Sequence, residues 1–271
     1  MSHRPLASTL VWVATSLLVV FFFGQSLAPS ASLYTHMLSP HTVDLIGSIP
    51  KVILPGLTVL VAWGVARKFE PGNPARLAWS LFAVGMFGLF VGQVVLLYYI
   101  FVGRGDVFPS IGDPFFVAGC VGVVVALVAF VRAYATSGFP IGPRRQLWAI
   151  GLAAAALGAL LVVPLLRPVM AAPAPAVEKA LNLAYPALDF LMFIPAVLLA
   201  WITLRFRGGK VALVWTALLA GILFTAAGDI LFGYFSNLGQ KGLAALIDAV
   251  YILAYGCLAA SVFHQRELLA A

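Results

Sequence analysis

The fold class this chain predicts is all-α: a polytopic membrane protein of eight transmembrane helices, built from two parallel four-helix repeats. Three features carry that expectation: an apolar composition, eight apolar runs of spanning length, and a residue pattern that recurs between the halves. The 271 residues are 63% hydrophobic and only 9% charged, with a mean hydropathy of +1.06. A soluble domain carries roughly 25% charged residues. The net charge of +7 is spread over short loops rather than gathered in one patch, which excludes a nucleic-acid surface. Cys120 and Cys257 both lie in apolar runs and read as small buried residues, not as a disulfide framework.

Spans of about 20 apolar residues cross a bilayer as helices. The first such run covers about 8–28. The second, about 44–66, closes at PGNPAR, and the third covers about 76–102. The fourth, about 112–134, opens on Asp113-Pro114, which reads as an N-cap followed by proline at the first helical position. It closes at FPIGPRR. The fifth, about 147–166, runs into APAPAVEK, and the sixth, about 180–204, into RGGK. The seventh and eighth cover about 211–235 and 244–264. Proline and glycine punctuate every one of these breaks. No linker is long or polar enough for a separate soluble domain, so residues 1–271 form one membrane domain.

Lys and Arg set the orientation. With a cytoplasmic N-terminus, the inner side carries Arg4, Arg67, Lys68, Arg76, Arg132, Arg144, Arg145, Arg205, Arg207, Lys210 and Arg266. The outer side carries Lys51, Arg104, Arg167, Lys179 and Lys241. Eleven against five is a positive-inside bias, and it predicts both termini in the cytoplasm of a cell whose inner membrane holds the chain. The opening MSHRPLAST, an apolar core and SLAPSAS also fit a cleavable signal peptide. The internal repeat favours keeping this segment as the first helix.

That repeat is legible in spacing. Trp79, Gly85, Gly92, Gln93 and Tyr98 stand at intervals of six, seven, one and five; Trp215, Gly221, Gly228, Asp229 and Tyr234 stand at the same intervals. Upstream, Pro40, Asp44 and Ile49-Pro50 match Pro186, Asp189 and Ile194-Pro195, one residue looser at the start. Downstream, Asp113 answers Asp248. The repeats cover about 1–136 and 140–271. An offset of four helices is even, so both halves point the same way and are related by an axis along the membrane normal.

The acids then demand an explanation, because a carboxylate at bilayer depth costs on the order of 3 kcal/mol on insertion scales. At 1.5 Å per helical residue, Asp229 stands about 28 Å from Lys210 and Asp189 about 24 Å from Arg205. Gln93 holds the place equivalent to Asp229. Asp44, Asp113 and Asp248 fall near the outer mouths of their helices, and Asp44 reads as interfacial. Only Glu70 and Glu267 of the nine acids are cytoplasmic. The predicted ligand-binding layer is therefore Asp189, Asp229, Asp248, Gln93, Asp113, Tyr234 and Tyr251, in the extracytoplasmic half. Gly221 and Thr225 precede Asp229 at four-residue steps, a spacing that suits close helix contact. Tyr98, Tyr185 and Tyr255 add hydroxyls that reach a carboxylate or sit in an interfacial aromatic belt.

Other chemistry is sparse. His36, His41 and Asp44 supply ligand types for a transition metal, but their spacing fits no standard site; no metal is assigned. No GxSxG, HExxH, CxxC or glycine-rich phosphate loop occurs, so no catalytic residue and no cofactor is named.

PSIGDPFFVAGCVGVVVAL, AYPALDFLMF, AAGDILFGYF and LIDAVYILAYGCLAAS resemble the multi-helix bacterial membrane input domain that precedes diguanylate cyclase, phosphodiesterase and histidine kinase modules. The similarity spans roughly residues 75–265, with Asp113, Asp189, Asp229 and Asp248 on its four aspartate motifs. It implies a sensory or assembly role, an unidentified small or lipidic ligand, and a protein partner or second copy to carry the output. The chain stops at SVFHQRELLAA, where such proteins continue into an output domain. GMFGLFVGQVVLLYY and GILFTAAGDILFGYF also resemble lysoplasmalogenase-like membrane hydrolases, which implies a lipid-modifying activity using paired acids. Gln93 in place of the first acid departs from that pattern, and Asp189 would have to substitute. A small-solute transporter is the third expectation.

Overall fold

A computed structural model describes residues 6–27, 39–104, 107–138, 141–171, 173, 175–204, 209–237 and 244–270. They form eight helices: α1 (Leu6–Leu27), α2 (Pro40–Arg67), α3 (Pro74–Phe101), α4 (Asp113–Thr136), α5 (Arg144–Ala171), α6 (Ala176–Leu204), α7 (Lys210–Asn237) and α8 (Ala244–Leu268). Among the described residues there is no strand. Seven of the helices are long and apolar enough to cross a membrane, and the chain is a multi-pass membrane protein. Ser39 starts α2 by accepting from the Thr42 amide, and Asn73 starts α3 by accepting from the Ala75 amide, each just ahead of a proline. Both satisfy a helix-start amide that has no partner within the helix.

Six helices close into a ring by neighbour packing: α2 on α3, α3 on α4, α4 on α6, α6 on α7, α7 on α8, and α8 back on α2. α1 lies outside this ring against α8, and α5 against α6. The docking of α1 is partly polar. Ser8 donates through its amide and its hydroxyl to the Glu267 carboxylate, and the Trp12 indole donates to His264 Nε2.

The tightest contact in the ring joins α3 to α4. A Cβ placed on Gly88 would sit 2.7 Å from the Gly119 Cα, and one on Gly122 would sit 2.8 Å from the Gly85 Cα. Only glycine allows two backbones this near, the usual device for helix association where lipid removes the hydrophobic drive. On the other side of the ring, a Cβ on Gly221 would strike Leu258, and one on Gly228 would strike the Tyr251 ring.

The ring's interior is filled differently at its two ends. Near the first turns of α3 and α7, Trp79 and Trp215 stack with centroids 6.2 Å apart, and Phe130 meets both edge-on at 4.7 and 4.9 Å. The Trp215 indole donates to the Tyr134 hydroxyl at 2.8 Å, so the buried N–H is not stranded. Tyr134→Phe removes that acceptor and leaves the buried Trp215 N–H unsatisfied, so it is expected to lower stability by about 1–3 kcal/mol; unfolding in mixed micelles measures it. About 21 Å further along α3 and α7, the filling changes from aromatic to polar.

Candidate functional site

Five helices bring polar side chains to that second level. From α6, Asp189 is buried, 5% exposed, beside the Asp229 carboxyl from α7. From α8, the Tyr251 hydroxyl donates to Asp229 Oδ1 at 2.5 Å. One turn on, Tyr255 stacks against Tyr251 with ring planes 20° apart. Its hydroxyl accepts from the Gln93 amide of α3 at 3.0 Å. From α4, Asp113 Oδ1 accepts from the Tyr185 hydroxyl at 2.5 Å, and Tyr185 stands one turn before Asp189 on α6. Cys120 of α4 is a free, buried thiol.

Each position has a local cause. Tyr251 and Tyr255 share a face of α8 because residues four apart lie above one another on a helix. Gly228 leaves room for the Tyr251 ring beside α7, where a Cβ would come within 2.8 Å of it. Gly92 does the same for Phe116. Pro186, inside α6, removes a backbone hydrogen bond one turn before Asp189. Buried polar groups ordinarily find partners, yet Asp189 Oδ1 has none among the described residues. It is the one carboxylate oxygen among them left in that condition.

Of the seven residues predicted to form the layer, Asp189, Asp229, Tyr251, Gln93 and Asp113 are among these polar side chains, Asp113 through its own contact with Tyr185. Asp248 does not: its Oδ1 lies 2.5 Å from the Lys51 ammonium of α2, with both side chains largely buried. Lys51, counted above with the outer-side loop charges, is inside the α2 span. Tyr234 lies outside the residues whose side chains are described. Asp113 departs from the capping expectation as well. It is the first residue of α4, its helix start has no side-chain cap, and its Oδ2 accepts backward from the Ser110 amide. The turn before α4 holds that carboxylate, and Tyr185 takes its other oxygen. Tyr98 points outward, 60% exposed, while Tyr99 beside it is buried.

Tyr185, Tyr255 and Cys120 complete the set without having been placed in the predicted layer. A signal existed for two of them: Tyr255 follows Tyr251 by one turn, and Tyr185 precedes Asp189 by one turn. Cys120 carried no signal beyond its helical register with Asp113. No group of three or more metal-ligating side chains gathers among the described residues. No protein-family model, curated protein or solved structure matches the chain.

Proposed function

We propose that the chain is a membrane-embedded sensory or assembly module that binds a small or lipidic ligand at the carboxyl pair of Asp189 and Asp229 and acts through a partner protein or a second copy. The observation that carries this reading is the unpartnered, buried Oδ1 of Asp189 beside a second carboxyl. Leaving a polar atom unpaired at depth is costly unless something arrives to meet it. What fits there is a hydrogen-bond donor, so the ligand is read as carrying an amine, ammonium or hydroxyl group. Tyr251 and the Tyr255 to Gln93 link tie the pair to α8 and α3, so occupancy of one atom acts on three elements of the ring.

A duplication along the chain is part of the same reading. Its support is packing: Gly92 meets Phe116 as Gly228 meets Tyr251, and Gly85 meets Val123 as Gly221 meets Leu258. Trp79 and Trp215, matched in spacing, stack on each other across the ring. Both termini in the cytoplasm of a bacterial inner membrane follow from the Lys and Arg asymmetry and remain part of the proposal.

The test is ligand protection. Purified protein in phosphatidylcholine vesicles is treated with dicyclohexylcarbodiimide, an apolar reagent for proton-bearing carboxyls, and Asp189 and Asp229 are followed by mass spectrometry. A panel of amines, polyols and lysolipids is added in turn. A true ligand raises the melting temperature, slows modification of the pair, and loses both effects in Asp189→Asn. If every stabilising compound acts equally on Asp189→Asn, the pair is not the site. Release of a headgroup from a lysolipid by the wild type but not by Asp229→Asn would replace this reading by the hydrolase one.

A further inference from the structure

A second site lies at the opposite end of the bundle, on its outer surface. Between the first turns of α3 and the last turns of α4 runs an open groove of about 740 Å³, within the range of small-molecule sites. Its walls are apolar, with Leu77 and Val128 60% and 55% exposed and Leu81 between them. Its rim is cationic: Arg76, the third residue of α3, and Arg132, one turn before the end of α4, both line it. No acid lines it.

We propose that this groove binds one anionic phospholipid, its phosphate held between Arg76 and Arg132 and an acyl chain laid over Leu77, Leu81 and Val128. The charge pattern selects the occupant. Two arginines from different helices line one opening, and among the described residues no carboxylate lines it with them, so a net negative headgroup is favoured over a zwitterionic one whose ammonium they would repel. Arg76 Nη1 donates to the Phe69 carbonyl at 3.4 Å, which steadies the guanidinium at the rim while using one of its five N–H donors. The first turn of α3 opens on the same rim, and its positive end adds to the attraction for phosphate. The apolar walls select the source. They face outward from a membrane helix bundle, where the bilayer supplies acyl chains and a free anion has none to offer. The general excess of basic residues in loops does not account for this, because Arg132 is inside α4 and both arginines border the same cleft.

Native mass spectrometry of the purified full chain provides the test, using titration with phosphatidylglycerol or phosphatidylcholine. One phosphatidylglycerol is expected to be retained in clear preference to phosphatidylcholine. Arg76→Gln and Arg132→Gln should each weaken retention by about fivefold, the usual effect of one basic residue near an anionic headgroup, and the double variant more. Val128→Trp fills the groove with both arginines intact and should also reduce retention, without a change in melting temperature. Excess inorganic phosphate should leave the lipid bound. Equal retention of the two lipids, or undiminished retention by the double variant, overturns the proposal. Displacement by inorganic phosphate would make the site a free-anion site and overturn the lipid assignment. A change of oligomeric state in Val128→Trp with unchanged lipid retention would make the groove a contact between copies, with the same consequence.

Discussion

Asp248→Asn is expected to destabilise the folded protein by about 3–5 kcal/mol, the cost of breaking a buried ion pair by removing one partner. The substitution keeps the side-chain shape but takes the negative charge away from beside the Lys51 ammonium, only 13% exposed. Gly47 of α2 makes room for the Asp248 carboxyl, which a Cβ at that position would strike. The pair joins α2 to α8, the contact that closes the six-helix ring, so its loss loosens closure rather than a periphery. Lys51→Met combined with Asp248→Asn removes the buried cation as well, and the double variant should therefore be more stable than Asp248→Asn alone. Unfolding in mixed micelles across the four proteins of this cycle gives the coupling. A loss below about 1 kcal/mol, the scale of an exposed pair, would show that water reaches both groups.

That pair also marks where sequence reasoning stopped. Helix number and type were readable because bilayer thickness fixes the length of an apolar run, and all eight runs appear as helices. Their ends were less readable: α5 continues to Ala171 through Pro164 and Pro168, and α6 holds Pro186 and Pro195 within its length. A bundle can resatisfy the carbonyls a proline frees, so proline is a weaker stop signal here than in a soluble helix. For the site, depth was readable from helical rise, and it put Asp189 beside Asp229. Azimuth was not. Asp248 sits at a plausible depth but turns toward α2, and Lys51 was counted as a loop charge because nothing in its neighbourhood announces a partner 197 residues away. The same blindness hid the ring order, in which α4 packs on α6 rather than on α5.

Asp229→Asn is expected to leave the fold nearly unchanged while removing the function. The asparagine carbonyl still accepts from Tyr251, and its NH2 group can donate to Asp189, so the hydrogen-bond count is preserved. The stability change should stay near 0.6 kcal/mol, the mean for such interhelical bonds. What the amide cannot do is share a proton with Asp189 or carry charge. Worse for a ligand, its NH2 group would meet the carboxyl that otherwise waits for a donor. Loss of one member of a buried, hydrogen-bonded charge contact typically costs about 2–5 kcal/mol of binding, roughly thirtyfold or more in affinity. Tyr251→Phe makes the useful contrast: it removes the hydroxyl from Asp229 Oδ1 but leaves both carboxyls, and should weaken binding by a smaller factor. A packing role for Asp229 predicts no such difference, with Tyr251→Phe and Asp229→Asn equally mild in binding and in stability. Ligand-induced melting shifts and carbodiimide protection on the three proteins separate the two cases. If Asp229→Asn binds as the wild type does, the carboxyl pair is only a join between α6 and α7, and the buried oxygen of Asp189 is met by ordered water instead.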